Sequence, residues 1–170
     1  MVPSPTEGVF RLFVYGTLKK GFPNHDRFCA TTIRIRMAWI RGRLFETPWG
    51  HPVVELPTGE VLERGSRDPG WDWARQRALE MTRVSHQDLR EHEVSCERVQ
   101  GELLDFLNPD GWLEALDRFE EFDPIGTSRF ERVLVRAYLD DPLSVPAWVY
   151  VGSTILNGHD FPWVPSGRWQ

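Results

Sequence analysis

A β-strand near the N-terminus is predicted by the stretch Phe10-Arg11-Leu12-Phe13-Val14-Tyr15, which Gly16-Thr17-Leu18 follows directly. Aromatic and β-branched residues dominate the first six positions, as is typical of strands. Gly16 interrupts this pattern, because glycine lacks a β-carbon and tolerates backbone conformations that end a strand. We therefore expect a strand that leads into a loop at Tyr15-Gly16-Thr17-Leu18.

Further apolar stretches along the chain also have strand character. They are Thr31 to Phe45 with a bend near Gly42, Val53 to Leu56, Val99 to Phe106, Val133 to Tyr138, and Ala147 to Val151. A short helix is predicted from Asp26 to Ala30. Most connections between the strands are too short for a helical crossover, which favours antiparallel pairing. The sequence thus predicts an α+β fold, a small mixed, mainly antiparallel β-barrel with a few helices.

One segment, from about residue 57 to residue 98, differs in composition from the rest of the chain. It is mostly polar and charged, and its apolar residues are scattered. We interpret it as a partly helical insertion within a single domain that covers residues 1–170. Asp72 is predicted to cap a helix that continues to about Met81, and Ser85 with Asp88 marks a weaker second helix start.

Composition narrows the classes of partner. The formal net charge of −5 argues against a nucleic-acid ligand. No apolar run reaches the roughly 18 to 20 residues of a membrane-spanning helix, and no secretory signal is visible, so we expect a cytoplasmic protein without membrane contact. Cys29 and Cys96 are too few for a disulfide framework and are expected to be reduced. Four closely spaced arginines are predicted to form a solvated strand face: Arg34, Arg36, Arg41 and Arg43.

A further helix is predicted before Phe122, with Asn108 as its cap and Pro109 at its first position. Its apolar residues have the spacing of a helix that is buried on one face: Trp112, Leu113, Leu116 and Phe119. Glu120 lies four residues after Leu116 and so falls within the same apolar stripe. Glu121 instead follows Asp117 and Glu114 on the polar face, so the two adjacent carboxylates are not equivalent.

The chemistry of Glu120 has two interpretations. Burial of a carboxylate raises its pKa toward neutrality, which suits a group that both accepts and donates a proton. Alternatively, Glu120 forms a structural ion pair with Arg118, Arg129 or Arg132. The residues alone leave both interpretations open.

The order of several motifs resembles the γ-glutamylcyclotransferase-like family, including the γ-glutamylamine cyclotransferases. The first motif is Val14-Tyr15-Gly16-Thr17-Leu18 with Gly21 and Asn24 after it. The others are Gly42-Arg43-Leu44-Phe45 with Pro52-Val53-Val54, Val99-Gln100-Gly101-Glu102-Leu103, Leu116-Asp117-Arg118-Phe119-Glu120, Phe130-Glu131-Arg132-Val133, and Ala147-Trp148-Val149-Tyr150. They span most of the chain outside residues 57–98.

The resemblance implies a small twisted β-barrel and a ring closure that needs no metal or organic cofactor. The α-amine of a γ-glutamyl group attacks its own γ-carbonyl, which forms 5-oxoproline and releases an amine or amino acid whose identity stays open. By the family motif, Glu120 acts as general acid/base. The loop Tyr15, Gly16, Thr17 and Leu18 would hold the α-carboxylate of this small-molecule substrate through backbone N–H groups, and Tyr150 is a candidate pocket wall.

Three features depart from the family pattern. Glu121 stands where glycine is common after the catalytic glutamate, and Phe130 stands where tyrosine is common. The third departure is the insertion at residues 57–98, for which a lid, a partner surface and a neutral insertion are the alternatives.

An alternative in a different functional class is a non-catalytic protein of the same fold that binds a small anion or a protein partner. Metal hydrolysis is disfavoured because the histidines show no His-Glu-x-x-His spacing. Serine hydrolysis is disfavoured because no Gly-x-Ser-x-Gly turn occurs.

Overall fold

The computed structural model describes residues 8–80, 97–140, 144–157 and 159–170. Its strands are β1 (Phe10–Val14), β2 (Arg34–Arg41), β3 (Arg43–Glu46), β4 (Pro52–Glu55), β5 (Glu63–Arg64), β6 (Arg98–Phe106), β7 (Phe130–Tyr138) and β8 (Ser144–Gly152). Its helices are α1 (Pro23–Phe28), α2 (Pro69–Glu80), α3 (Trp112–Phe119) and the single turn α4 (Thr154–Asn157). The helix start predicted at Ser85 and Asp88, and also Cys96, lie outside the described residues.

Five strands close into a barrel in the order β2-β6-β1-β8-β7, with β5 added beside β7. A pairing of Trp39 in β2 with Tyr138 in β7 completes the ring. All the neighbouring strands are antiparallel except β1 and β8, which pair in parallel where Leu12 faces Trp148. Strands β3 and β4 form a separate hairpin. The predicted α+β fold with a mixed, mainly antiparallel barrel is confirmed.

Strand β1 is buried on both faces, which explains its nearly continuous apolar sequence. Phe13 packs in one core cluster with Ala38 and Val149. Leu12 and Val14 belong to a second cluster, together with residues of α1 and α3. Because side chains alternate across a strand, β1 separates the two clusters and holds the loop that follows it in a fixed position.

The caps predicted for α2 and α3 were wrong, and α1 covers Pro23–Phe28 rather than Asp26 to Ala30. In α2, the N-cap is Asp68, whose Oδ1 accepts a hydrogen bond from the N–H of Trp71 at 3.1 Å. Asp72 lies in the first turn of that helix and has other partners. Helix α3 begins at Trp112, and its N-cap is Gly111, whose φ of 78° breaks the helical path. Asn108 instead accepts a hydrogen bond from the N–H of Asp110 within the preceding turn.

The predicted insertion is attached to the barrel. Within it, β5 pairs with β7. Gln76 of α2 accepts a hydrogen bond from the backbone N–H of Arg11 at 3.0 Å and donates one to the carbonyl of Val9 at 2.8 Å. Helix α2 is therefore tied to the backbone of β1. Among the described residues, no helix is long and apolar enough to cross a membrane.

The four arginines predicted as a solvated face are 11% to 60% exposed, and all of them are also paired with carboxylates. Arg34 and Arg36 both bind Asp105, which is only 1% exposed. Two further pairs complete the set, Arg41 with Glu60 and Arg43 with Glu97. The sequence separation within each pair is large, which is why local spacing did not reveal them.

Candidate active site

A cavity of about 360 Å³ opens between the end of β1, the end of α3 and the hairpin β3–β4. This volume is within the range of small-molecule sites. All six residues predicted for the site line it: Tyr15, Gly16, Thr17, Leu18, Glu120 and Tyr150. Other lining residues include Asn24, Trp49, His51, Pro52, Phe119, Glu121, Arg129 and Phe130.

The loop after β1 has a defined internal structure. The N–H of Lys19 donates to the carbonyl of Gly16 at 3.1 Å, which closes a turn. The Nδ2 of Asn24 donates to the hydroxyl of Thr17 at 3.1 Å. In the part of the chain that the structure describes, the backbone N–H groups of Gly16, Thr17 and Leu18 donate no hydrogen bond. Three consecutive unused donors beside a cavity are suited to a carboxylate ligand.

Gly16 is required by packing against the hairpin. A β-carbon at Gly16 would lie 2.8 Å from both Cγ and Cδ of Pro52, which is closer than carbon atoms approach without displacement. The sequence prediction attributed Gly16 to backbone freedom and substrate approach. The structure adds that Pro52 packs where a side chain would stand.

Glu120 is positioned by the C-terminus of α3. It follows the last helical residue, and Glu121 adopts the left-handed conformation with φ of 56°. The N–H of Glu121 donates to the carbonyl of Arg118 at 3.2 Å, and the N–H of Phe122 donates to that of Asp117 at 2.8 Å. This is a Schellman ending, in which the left-handed position is usually glycine. The departure at Glu121 therefore lies at a backbone position that favours the common family residue.

The carboxylate of Glu120 is not held in an ion pair by the described residues. Arg118, Arg129 and Arg132 bind Glu114, Glu121 and Asp117 respectively, so none of the three predicted partners pairs with Glu120. Removal from water raises the pKa of Glu120 to about 7, and the nearby charge of Asp117 acts in the same direction. Near neutral pH, both the carboxylate and the carboxylic acid are populated.

Two tyrosines that line the cavity, Tyr15 and Tyr150, are joined by a hydrogen bond. The hydroxyl of Tyr15 donates to the carbonyl of Tyr150 at 2.6 Å. The hydroxyl of Tyr150 donates to Oδ1 of Asp117. Burial raises the pKa of both tyrosines. The negative charge of Glu120 raises the pKa of Tyr15 further, and that of Asp117 raises the pKa of Tyr150 further. Both phenols therefore stay protonated and act as hydrogen-bond donors.

Asp117 differs from its sequence prediction. The sequence placed it on the polar face of the helix and assigned it no partner, but its side chain is only 16% exposed and is bound by Arg132 and Tyr150. Arg132 follows Asp117 by 15 residues and belongs to β7, whereas Tyr150 belongs to β8. Helical periodicity describes only one helix, so it carried no signal for these partners.

The opening of the cavity has an aromatic rim, which we define as Trp49, His51, Phe119 and Phe130. Trp49 is 49% exposed and Phe119 is 40% exposed, although both line the cavity. The guanidinium of Arg129 lies 4.5 Å from the ring centroid of Trp49. Of these four residues, the sequence had pointed only to Phe130, which stands where the family commonly has tyrosine; the residues around Trp49 and His51 carried no functional signal.

The described residues contain no group of three or more His, Cys, Asp or Glu side chains with the geometry to hold a metal ion. Cys29 is buried and free of disulfide bonds.

Solved structures share this fold at low sequence identity. An AIG2-like protein from Mus musculus has a TM-score of 0.53 and 17% identity, over 95% of this chain and 88% of its own. The uropathogenic E. coli-specific protein c4763 has a TM-score of 0.52 and 14% identity, over 95% of this chain and 92% of its own. YkqA from Bacillus subtilis has a TM-score of 0.54 and 19% sequence identity, over 95% of this chain and 39% of YkqA. This chain thus spans about two fifths of the length of YkqA.

Family membership is shown by sequence rather than by these structures, because identities this low establish the fold alone. No curated protein sequence matches the chain significantly. The sequence profile described as "Gamma-glutamyl cyclotransferase, AIG2-like" matches residues 12–63 and 74–170, which is most of the chain. The chain therefore belongs to the AIG2-like γ-glutamyl cyclotransferase family.

Proposed function

We propose that this protein is a cytoplasmic cyclotransferase that converts a γ-glutamyl amide or amine into 5-oxoproline and a free amine or amino acid, without a cofactor. Glu120 is its general acid/base. The observation that carries the proposal is an unpaired carboxylate with a pKa of about 7 on the wall of a cavity, opposite a loop with three unused N–H groups.

In the proposed reaction, Glu120 starts as a carboxylate and accepts a proton from the α-ammonium of the substrate. The free amine attacks the γ-carbonyl carbon, and a new C–N bond closes the five-membered ring. The original amide C–N bond breaks, and Glu120 returns its proton to the departing nitrogen. A pKa near the working pH allows one group to serve both transfers. The attacking nitrogen loses its second ammonium proton as the ring closes, and the released amine takes up this proton to become an ammonium ion. Protons and electrons then balance without any other reactant.

The loop Tyr15-Gly16-Thr17-Leu18 is proposed to bind the α-carboxylate. Its unused N–H groups provide donors, and the bonds to Asn24 and within the turn limit its motion. Holding the α-carboxylate fixes the amine that attacks, and such positioning supplies a large share of the rate in an intramolecular reaction.

Tyr150 is proposed to contact the substrate with its ring rather than its hydroxyl. Its hydroxyl is already bound to Asp117, while the residue lines the cavity. The hydroxyl of Tyr15 is likewise committed to the carbonyl of Tyr150. The two rings thus shape the part of the cavity that holds the γ-glutamyl chain.

The aromatic rim is proposed to contact the leaving group. Trp49 and Phe119 expose apolar surface at the opening, and such surface favours flat or apolar groups. Arg129 is half exposed and lies 3.9 Å from Glu121, so this ion pair leaves little net charge at the rim. A leaving group with an apolar side chain fits this opening better than one with an isolated charge.

The test is release of 5-oxoproline from a panel of γ-glutamyl amines, γ-glutamyl amino acids and glutathione. We expect turnover of at least one substrate, and a loss of about 10²- to 10⁴-fold in kcat for Glu120→Gln, as is typical when a general acid/base is removed. The matched control is Glu114→Gln, which removes an exposed carboxylate of the same helix that does not line the cavity and should keep most of the activity. A folded wild-type protein that yields no 5-oxoproline from any substrate would instead support the non-catalytic binding protein.

A further inference from the structure

A buried ionic cluster lies behind the wall of the cavity. Arg132 is completely buried, and its Nε and Nη2 donate to Oδ1 and Oδ2 of Asp117 at 2.8 and 3.0 Å. Its Nη1 donates to Oδ2 of Asp72 at 2.9 Å, and Asp72 is 1% exposed. Nη2 also donates to the carbonyl of Ser66 at 3.1 Å. One guanidinium therefore joins two carboxylates from different helices.

The cluster is connected to the cavity through Asp117. Asp117 lies three residues before Glu120 at the end of α3, and it accepts a hydrogen bond from Tyr150, which lines the cavity. Its negative charge also disfavours ionisation of Glu120. A change in the position or effective charge of Asp117 must therefore change the pKa of Glu120.

Asp72 comes from a part of the chain that the family profile does not match. The matched segments end at residue 63 and resume at residue 74. Within this gap, the carboxylate of Asp72 accepts hydrogen bonds from the N–H of Ser66 at 3.0 and 3.1 Å and from its hydroxyl at 2.8 Å. None of the described residues from 57 to 80 lines the cavity, so Asp72 does not contact the site directly, and its bond to Arg132 links it to Asp117.

We propose that Asp72 is a positioning residue: through Arg132 it holds Asp117 and Tyr150 in place behind Glu120. The effect on turnover rests on the proposed function, whereas the effect on the carboxylate of Glu120 does not. In this arrangement, the segment 64–73 has a role in the site although it lies outside the cavity.

The charges predict the direction of the effect. Arg132 offsets only one of the two carboxylates that it binds, so the cluster carries a net negative charge next to Glu120. If Asp72 becomes neutral, Arg132 and Asp117 form a balanced pair, and ionisation of Glu120 becomes easier. The other titratable or charged groups on elements around Glu120 stay unchanged in this comparison: Tyr15, Cys29, His51, Glu121, Arg129 and Tyr150.

The experiment is an NMR titration of the Glu120 side-chain carbon in protein labelled with ¹³C-glutamate, with the signal assigned by its absence in Glu120→Gln. For Asp72→Asn, we expect the pKa of Glu120 to fall by about 0.5 to 1 pH unit, the size expected for loss of one charge beyond direct contact. Asparagine has nearly the same shape and retains an oxygen that accepts hydrogen bonds. Asp72→Glu keeps the charge and should restore a pKa close to that of the wild type.

The control is Gln76→Ala in the same helix. It removes the hydrogen bonds from α2 to the backbone of β1 but keeps the contact between Asp72 and Arg132, so the titration of Glu120 should stay unchanged. If Asp72→Asn is partly unfolded in buffer, all variants are compared in trimethylamine N-oxide, which favours the folded state. An unchanged pKa in folded Asp72→Asn, or an equal shift in Gln76→Ala, would overturn the proposal.

The titration requires no substrate, so it is independent of whether the chain releases 5-oxoproline. If the proposed function holds, the acidic limb of the kcat/KM profile of Asp72→Asn shifts by the same amount as the NMR pKa. A fall in rate without any shift in the pH profile would mean that Asp72 is merely structural and would refute its role in the site.

Discussion

Replacing Glu120 by glutamine should stabilise the protein, and the gain should depend on pH. Burial raises the pKa of Glu120 from its ordinary value of 4.5 to about 7. Each unit of pKa difference between the folded and unfolded states corresponds to about 1.4 kcal/mol. The full shift would amount to about 3 kcal/mol, and contact with water at the cavity wall reduces the expected effect to about 2 kcal/mol.

The sign follows from which state binds the proton more tightly. Below the unfolded pKa, Glu120 is protonated in both states, and its contribution to stability is fully present. As the pH rises through the folded pKa of about 7, that contribution is lost, because the buried carboxyl must ionise. Glutamine does not titrate. The free energy of unfolding of Glu120→Gln should therefore exceed that of the wild type by about 2 kcal/mol more at pH 8.5 than at pH 4.5.

Urea unfolding at these two pH values, followed by the fluorescence of the eight tryptophans, measures the difference. Glu121→Gln is the matched control, because the side chain of Glu121 is 65% exposed and its loss should have nearly the same small effect at both pH values. The reasoning is refuted if the stability gain of Glu120→Gln is the same at pH 4.5 and pH 8.5, or if Glu121→Gln shows an equal dependence on pH.

Three further substitutions test other parts of the site. Gly16→Ala should lower the free energy of unfolding by about 1 to 3 kcal/mol in urea unfolding, because its methyl group would overlap Pro52; a stability equal to that of the wild type would contradict this packing. Glu121→Gly should raise the free energy of unfolding by about 0.5 to 1 kcal/mol by relieving the left-handed backbone, whereas Glu121→Ala should give no such gain. Trp49→Ala should raise KM about tenfold with little change in kcat. The control is Trp163→Ala: Trp163 is about as exposed as Trp49 but lies outside the cavity, so KM should stay unchanged.

Local patterns in the sequence were sufficient for most of the architecture. Strands β1 and β6 to β8 were predicted because their apolar residues bury one or both faces, and the side-chain period of a strand is short enough to read directly. The same kind of reasoning placed Glu120 on the buried side of its helix before any fold was known. The resemblance to the family motif, rather than periodicity, marked Glu121 as unusual, and the left-handed backbone that explains this departure became visible only in the structure.

Helix starts were predicted less well, because the deciding feature was a backbone angle or a competing hydrogen bond. Gly111 ends the turn before α3 through its positive φ, and Asn108 uses its side chain within that turn. Asp68 and Asp72 are both good capping residues by type. Asp72 does not cap the helix, because its carboxylate is bound by Ser66 and Arg132.

By itself, the sequence determined the strand-rich fold, the loop after β1 and the carboxylate of Glu120, since each depends on residues within a few positions of one another. Only the tertiary structure decided which groups surround Glu120. Asp72 and Asp117 are 45 positions apart, yet they share Arg132 because β7 lies between the helices that carry them. Such contacts are set by barrel closure and strand register, which bring distant segments together, and no local periodicity records them.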